Sequence, residues 1–356
     1  KAESNPMIRK LYGAPFISLW GERLISPEDV NWPAFRTAIG SLFMNYLTSF
    51  PSQVENGNEI KAVLDEIQSQ DYVADYQKHL VCSYLSGVLK LPEFYSQLSS
   101  LPYESFYTPS TAPPDAPSTA PSDVPSALWH AFTTSSPELT AILAPGYENL
   151  NESNQIQVNK YILSANLPDV FGNPSNWMDQ NTVELIRQLK ASGISQAWIG
   201  LNSWEQAYAK PELVEEAVGQ GYLIGSYDSY HSIHEPGNEQ WVTARFGDTS
   251  LYDRASVEDR DGGKIEGFKG VERKLNPVLS LPAVRERMLE IMGNGLPFNS
   301  WFIDCDATGE IYDDYAPGHI TTQQQDLAAR LERMAYIRDT YGMVIGSEGG
   351  HDFAAS

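Results

Sequence analysis

Trp301-Phe302-Ile303-Asp304-Cys305-Asp306 and Met343-Val344-Ile345-Gly346-Ser347-Glu348 are apolar runs that each end in carboxylates. The stretch between them, Thr322 to Tyr341, carries the 3–4 spacing of one long amphipathic helix. Strand, helix and strand in that order read as a βαβ unit, which makes the two strands parallel neighbours with acids at their C-terminal tips. In a (β/α) barrel that end of the strands carries the chemistry.

Working outward, the same alternation recurs. Val183-Leu185-Ile186-Leu189 forms a helix stripe ended by Gly193 and followed by the strand-like Gln196 to Leu201. The helix of Glu212 to Val218 stops at Gly219 and Gly221 and feeds Tyr222 to Asp228. After a long polar excursion, Glu235 to Pro277, the helix of Pro282 to Met292 leads to Ser300–Asp304. Ala14-Pro15-Phe16-Ile17-Ser18-Leu19-Trp20, closed by Gly21, reads as a buried parallel strand far upstream. The expected strands lie near residues 16, 198, 224, 302 and 345. A TIM-type (β/α)8 barrel needs more strands than these, so the sequence reads as an incomplete barrel whose remainder comes from a missing or separate segment. The start at Lys1-Ala2-Glu3-Ser4 agrees with a processed or trimmed chain. The expected division is residues 1–26 as the start of the barrel, 27–174 as a helical insertion, and 175–356 as strands two to five. Within the insertion, Trp32-Phe35-Ile39-Leu42-Phe43 and Ile60-Val63-Leu64-Ile67 show helical spacing, and the Pro/Ser/Thr-rich stretch 107–126 reads as an exposed loop.

Bulk composition narrows the function classes. The chain has 24 basic against 46 acidic residues, a formal −22, which argues against a nucleic-acid backbone or an anionic membrane surface as partner. No apolar run reaches the roughly 18 residues of a membrane span. Eight Trp and 19 Tyr can supply flat faces on which sugar rings stack, alongside their ordinary use in the core. Cys82 and Cys305 are the only cysteines, too few for a disulfide framework. Asn151-Glu152-Ser153 matches a glycosylation acceptor, a motif too short to decide anything alone.

Strand parity assigns the acids. Phe302 and Asp304 share one face, Glu348 shares parity with Val344 and Gly346, and both acids can turn toward a common mouth. Neighbouring parallel strands lie about 4.8 Å apart. Two strand-tip carboxylates can therefore approach the roughly 5–5.5 Å used by retaining glycosidases, with Asp304 as nucleophile and Glu348 as acid/base. Asp306 has the parity of Asp304 and competes for the nucleophile role, and otherwise reads as a substrate contact at the same mouth. Gly346, Gly349 and Gly350 would leave space beside Glu348 for a bulky substrate. Tyr227, Asp228, Tyr230 and His231 at the tip of the third strand suit hydrogen bonding and stacking with a sugar, and Trp20 and Trp204 can line the same pocket. A metal-dependent hydrolase is the sharper alternative, because Asp228, His231, His234, Asp304, Asp306, His351 and Asp352 could converge; no HExxH or H-x-H spacing supports it. The expectation is therefore no required cofactor and no catalytic metal, with room for a structural Ca²⁺ in acidic loops. A non-catalytic glycan-binding barrel is the other alternative.

Leu11-Tyr12-Gly13-Ala14-Pro15-Phe16-Ile17-Ser18-Leu19-Trp20-Gly21, Tyr227-Asp228-Ser229-Tyr230-His231, Phe302-Ile303-Asp304 and Gly346-Ser347-Glu348-Gly349 together resemble the α-N-acetylgalactosaminidase-type glycoside hydrolases of families 101 and 129. The resemblance covers about residues 7–25 and 175–356. It implies a retaining α-glycosidase with its nucleophile at Asp304 and its acid/base at Glu348, a bacterial enzyme secreted, periplasmic or at the cell surface, acting on glycans with an α-linked N-acetylgalactosamine or related sugar. The helical and Pro-rich segment 27–150 does not match that family, the residues ahead of the first strand carry no β-sandwich pattern, and Gly349-Gly350 stands where an aromatic is expected. These departures bear on the substrate more than on the reaction class.

Overall fold

The computed structural model describes residues 13–19, 24–54, 57–99, 137–178 and 183–349. Trp20, the 107–126 loop, Gly350, His351 and Asp352 lie outside the described residues. The chain divides into a sheet unit (residues 1–20, 183–207 and 211–356) and a helical unit (21–182 with 208–210). Beside the boundaries read from sequence, the helical unit runs to 182 and also takes in Tyr208–Lys210.

In chain order, strand β1 (Phe16–Leu19) is followed by helices α1 (Trp32–Ala38), α2 (Leu42–Leu47), α3 (Gly57–Ser69), α4 (Asp75–Leu89), α5 (Pro92–Ser99), α6 (Pro137–Leu143) and α7 (Glu152–Asn166). Then come α8 (Val183–Ala191), β2 (Trp198–Leu201), α9 (Trp204–Ala209), α10 (Pro211–Gly219), β3 (Leu223–Ser229), β4 (Ser232–His234), β5 (Glu272–Lys274), α11 (Pro277–Gly293), β6 (Ser300–Ala307), α12 (Gln323–Tyr341) and β7 (Val344–Gly349). No helix among the described residues is long and apolar enough to cross a membrane.

The helical unit follows from its apolar spacing. Ile60, Val63, Leu64 and Ile67 of α3 are all buried, as are Phe35, Ile39 and Phe43. At the start of α7 the Asn151 side chain accepts from Asn154 N at 2.9 Å, so the residue of the glycosylation-like motif caps a helix. Farther along α7, the buried Asn159 donates to Leu89 O at 3.0 Å and accepts from the Tyr147 hydroxyl at 3.2 Å, which satisfies a polar group inside an apolar core.

The five long strands form one parallel sheet in the order β1-β2-β3-β6-β7. Its two faces differ in kind. Ile199, Leu201, Ile224, Trp301 and Ile303 project to one side and are essentially inaccessible; α10 packs on β3 and α12 on β7. Burying each such side chain contributes about 1.5–3 kcal/mol. The opposite face carries Phe16, Trp198, Tyr227 and Phe302. The Phe16 ring lies 5.7 Å from Trp198 and 6.0 Å from Phe302, and Tyr227 stacks on Phe302 at 6.1 Å. Phe16 and Phe302 sit on strands three places apart, roughly 14 Å in a flat sheet. Their rings can meet only if the sheet curves with this face concave. Two glycines make room for the aromatic layer: a Cβ at Gly200 would come within 2.6 Å of the Phe16 ring, and one at Gly346 within 2.2 Å of the Trp198 ring. The space beside Gly346 is thus filled by Trp198 and is not left for a ligand, contrary to the sequence reading. A curved parallel sheet with helices on its convex side is compatible with part of an α/β barrel.

Arginines from two helices reach the convex side of the strand tips. Arg287 of α11 donates to Asp228 Oδ1 at 2.8 Å and to the carbonyls of Ser229 and Thr243 at 3.2 Å each. Arg333 of α12 forms a two-pronged pair with Asp306, one bond being 2.6 Å, and donates to Tyr230 O at 3.4 Å. Arg333 and Asp306 are both almost inaccessible, at 1% and 0%. Removing one partner of such a pair leaves a buried charge uncompensated at a cost of about 3–5 kcal/mol, whereas replacing both by apolar groups is often neutral. Arg333→Met should therefore lower unfolding free energy by about 3–5 kcal/mol in urea denaturation, and the double variant Asp306→Leu/Arg333→Met should recover most of it; equal stability of the single variant and the parent would contradict this.

Candidate active site

The two acid-bearing tips meet where β6 departs from regular pairing with β7. From Ser300↔Val344 to Ile303↔Ser347 the register is regular, but the next pair is Ala307↔Gly349. Asp304, Cys305 and Asp306 therefore stand opposite the single residue Glu348. The departure is a β-bulge with Cys305 at φ 61°. A non-glycine residue in that left-handed region costs about 1–3 kcal/mol and needs its surroundings to hold it. Arg330 of α12 does so by donating to Cys305 O at 3.2 Å while its Nε donates to Asp326 at 2.6 Å. Beyond the bulge, Ala307 N donates to Ser347 Oγ at 3.0 Å and Thr308 Oγ1 donates to Cys305 O at 2.9 Å.

The bulge breaks the alternation on which the sequence reading relied. Asp304 stays on the concave face beside Tyr227, and Asp306 turns to the convex face and is buried against Arg333. Asp306 is thus removed both as a rival nucleophile and as a substrate contact. Asp304 is half-buried and Glu348 exposed. Oxygens of the two carboxyls and the Cys305 sulfur all lie within 4.8 Å of one another, and Cys305 Sγ is 3.8 Å from Glu348 Oε2.

Electrostatics marks one member of the pair. Hydrogen bonding to Asp304 and its negative charge, with a smaller contribution from burial, hold the Glu348 carboxyl above its ordinary range, while Cys305 pulls the other way. Burial, with the charge of Asp304 and a hydrogen bond to it, raises the Tyr227 hydroxyl far above normal, so Tyr227 remains a neutral donor to Asp304. Burial and the same carboxylate push the Cys305 thiol up to about 12, so it too stays protonated at neutral pH.

The other expected site residues disperse. Asp228 follows strand alternation onto the convex face, fully buried against Arg287. Tyr230 is 0% exposed, its ring 5.5 Å from the Arg287 guanidinium and 5.6 Å from that of Arg333. Trp204 is buried with Arg287 over its ring at 5.8 Å. Asp228, Tyr230 and Trp204 therefore anchor the strand tips and do not face the concave side. His231 is buried too, its Nε2 3.3 Å from Glu310 Oε2. Burial and the charges of Arg330, Lys274 and Arg333 drive its pKa well down, so the ring is neutral. Tyr227 alone of that cluster reaches the acids.

Sequence reasoning missed a polar wall near Cys305. Lys274 of β5 lies 3.5 Å from Glu310, Tyr312 donates to the same carboxylate, and Lys274 sits 5.8 Å above the Tyr312 ring. It also missed Arg330 and Arg333, although a signal was present. Asp326, Ala329, Arg330, Arg333 and Ile337 occupy the buried stripe of α12, so charged residues stand where a core-facing helix should be apolar. As for metals, Asp304, Cys305 and Glu348 are the only group with ligand-like geometry among the described residues. Asp228 and Asp306 of the set proposed from sequence are held by arginines, and His351 and Asp352 fall outside the described residues.

Residues 188–356 match the family model described as glycosyl hydrolases related to the GH101 family, GH129. No curated protein matches the chain. Among solved structures, the α-N-acetylgalactosaminidase NagBb from Bifidobacterium bifidum in its Gal-NHAc-DNJ complex is 18% identical with a TM-score of 0.41. Its GalNAc complex gives 19% and 0.41, and its ligand-free form 20% and 0.40. The match to the Gal-NHAc-DNJ complex covers 48% of this chain and 29% of that enzyme, so the chain spans less than a third of that enzyme's length. Residues 188–356 carry a glycosyl-hydrolase sequence related to families 101 and 129.

The coupling of the acids gives a titration prediction. Asp304 raises the Glu348 pKa, so in carboxyl ¹³C NMR Glu348 should titrate above the free-glutamate value, and Asp304→Asn should bring it back down. A Glu348 titration unmoved by Asp304→Asn would show that the two carboxyls do not interact.

Proposed function

We propose that this chain supplies the catalytic carboxylates of a retaining α-glycosidase. The observation that carries the reading is the approach of Asp304 and Glu348 oxygens to within 4.8 Å across the tips of adjacent parallel strands. Retaining enzymes hold their carboxyls about 5–5.5 Å apart, and inverting ones about 6.5–9.5 Å to admit a water. The family match over residues 188–356 supports the reaction class, and the curved parallel sheet supports a (β/α)8-type barrel to which these strands belong.

In this mechanism the ionised Asp304 attacks the anomeric carbon while Glu348, kept protonated by its neighbour, gives its proton to the glycosidic oxygen as the carbon–oxygen bond breaks. The sugar is then an ester of Asp304, and Glu348 is a carboxylate. Glu348 next takes a proton from water, whose oxygen attacks the anomeric carbon and frees Asp304. Two inversions leave the configuration unchanged. Tyr227, beside Asp304, keeps its proton and offers the carboxylate a neutral donor. The substrate class, a glycan with an α-linked N-acetylgalactosamine or related sugar met outside the cytoplasm, rests on the motif resemblance.

The test is hydrolysis of aryl α-N-acetylgalactosaminides by the full-length protein. Asp304→Gly and Glu348→Ala should each lower kcat/KM by about 10²–10⁴-fold. With azide, Asp304→Gly should yield the β-glycosyl azide and Glu348→Ala the α-glycosyl azide, because azide takes the place of the nucleophile in one and of water in the other. Undiminished cleavage in both variants would refute the assignment. Cleavage abolished by a chelator and restored by a metal would point to a metal-dependent hydrolase.

A further inference from the structure

Cys305 is the one residue at the acid pair to which the mechanism gives no role. Its placement is nonetheless expensive. The backbone is left-handed there, the carbonyl is tied to Arg330 and Thr308, and the result is a sulfur facing Glu348 at 3.8 Å. Regular alternation would have turned residue 305 toward the convex side, so the bulge that removes Asp306 from the site also delivers the thiol to it. Glu348 has few other restraints: it is exposed, and its carboxylate makes no other hydrogen bond to a described side chain beyond its coupling to Asp304. The side chain that must deliver a proton to the leaving group is thus held from two sides, by a carboxylate that raises its proton affinity and by a thiol, shared with Asp304, whose S–H donates to it.

We propose that Cys305 is a positioning residue for Glu348, its S–H donating to Oε2 and fixing the rotamer in which the carboxyl addresses both Asp304 and the glycosidic oxygen. The inference rests on the glycosidase reading for its catalytic consequence and on geometry alone for the contact. No bond is made or broken at sulfur. In the acid form of Glu348 the contact orients the carboxyl, and in the carboxylate form that follows proton transfer the S–H bond strengthens and favours the charged state.

Two measurements separate the contact from the catalysis. The first is alkylation of Cys305 by iodoacetamide in the native full-length protein, followed by peptide mass spectrometry. Cys82 is fully buried and does not compete. The charges of Asp304 and Glu348 both oppose the thiolate, so Glu348→Gln should speed alkylation at pH 8 several-fold. A rate unchanged by Glu348→Gln overturns the contact, whatever the protein's activity.

The second measurement is the pH profile of kcat/KM for an aryl glycoside in Cys305→Ala and Cys305→Ser. Both substitutions keep a Cβ and hence the same backbone strain at φ 61°. Losing a donor to the charged form raises the Glu348 pKa, so Cys305→Ala should move the alkaline limb up by about half a unit and lower the optimum several-fold. Serine restores a donor and should return the limb to its parental position. A merely structural role would change the amplitude of all three profiles and move none of the limbs, which would overturn the assignment. Alkylation coupled to Glu348, with undiminished cleavage in Glu348→Gln, would instead overturn the glycosidase reading and leave the contact standing.

Discussion

The buried pair between Arg333 and Asp306 is the interaction on which the arrangement of the site depends. A strand that alternated regularly through Ala307 would place Asp304 and Asp306 on the same side, two like charges on one concave face. The bulge separates them. Asp306 swings to the convex side, where Arg333 compensates its burial with two hydrogen bonds, and Asp304 is left facing Tyr227 and Glu348. Arg330, three residues earlier on α12, holds the Cys305 carbonyl at the apex of the same bulge. One helix therefore fixes the local strain that sets the geometry of the acids, and that helix is the crossover between β6 and β7.

The aromatic layer beneath the acids makes a second constraint. Phe16, Trp198, Tyr227 and Phe302 come from strands spread across the sheet, and their contacts require curvature. Gly200 and Gly346 admit the rings by having no side chain. Curvature brings neighbouring strand tips together on the concave side. Asp304 and Glu348 stand on adjacent strands at the rim of that concave face, and their short separation follows from the spacing of paired strands. The electrostatic asymmetry follows in turn: Asp304 is half-buried beside Tyr227, and Glu348 is exposed with that carboxylate as neighbour, which holds the Glu348 carboxyl above its ordinary range.

Much of this was legible in the sequence because it rests on periodicity. The five strands, the crossover helices and the buried stripe of α3 follow from apolar spacing, and Asp304 and Glu348 follow from their places at the ends of apolar runs. What was not legible rests on departures from periodicity. Nothing local in Asp304-Cys305-Asp306 announces a bulge, since Cys305 is not a glycine or asparagine that would flag a left-handed backbone. Asp306 was therefore placed on the wrong face. Asp228 is a different case, because the period of two already placed it opposite Tyr227 and grouping the strand tip as a cluster ignored that. The charged residues within the α12 stripe were a readable sign that something acidic lay buried beneath them. Trp204 and Tyr230 look like sugar platforms by composition alone, yet they serve the arginine network.

The central claim is that Asp304, and not Asp306, attacks the sugar, with Glu348 as its partner. An activated 5-fluoro glycosyl fluoride should accumulate the glycosyl-enzyme of a retaining glycosidase, and peptide mass spectrometry then locates the ester. The account predicts a single adduct on Asp304, with none on a variant lacking that carboxylate. An adduct on Asp306 or Glu348 would contradict it, as would steady turnover with no covalent species.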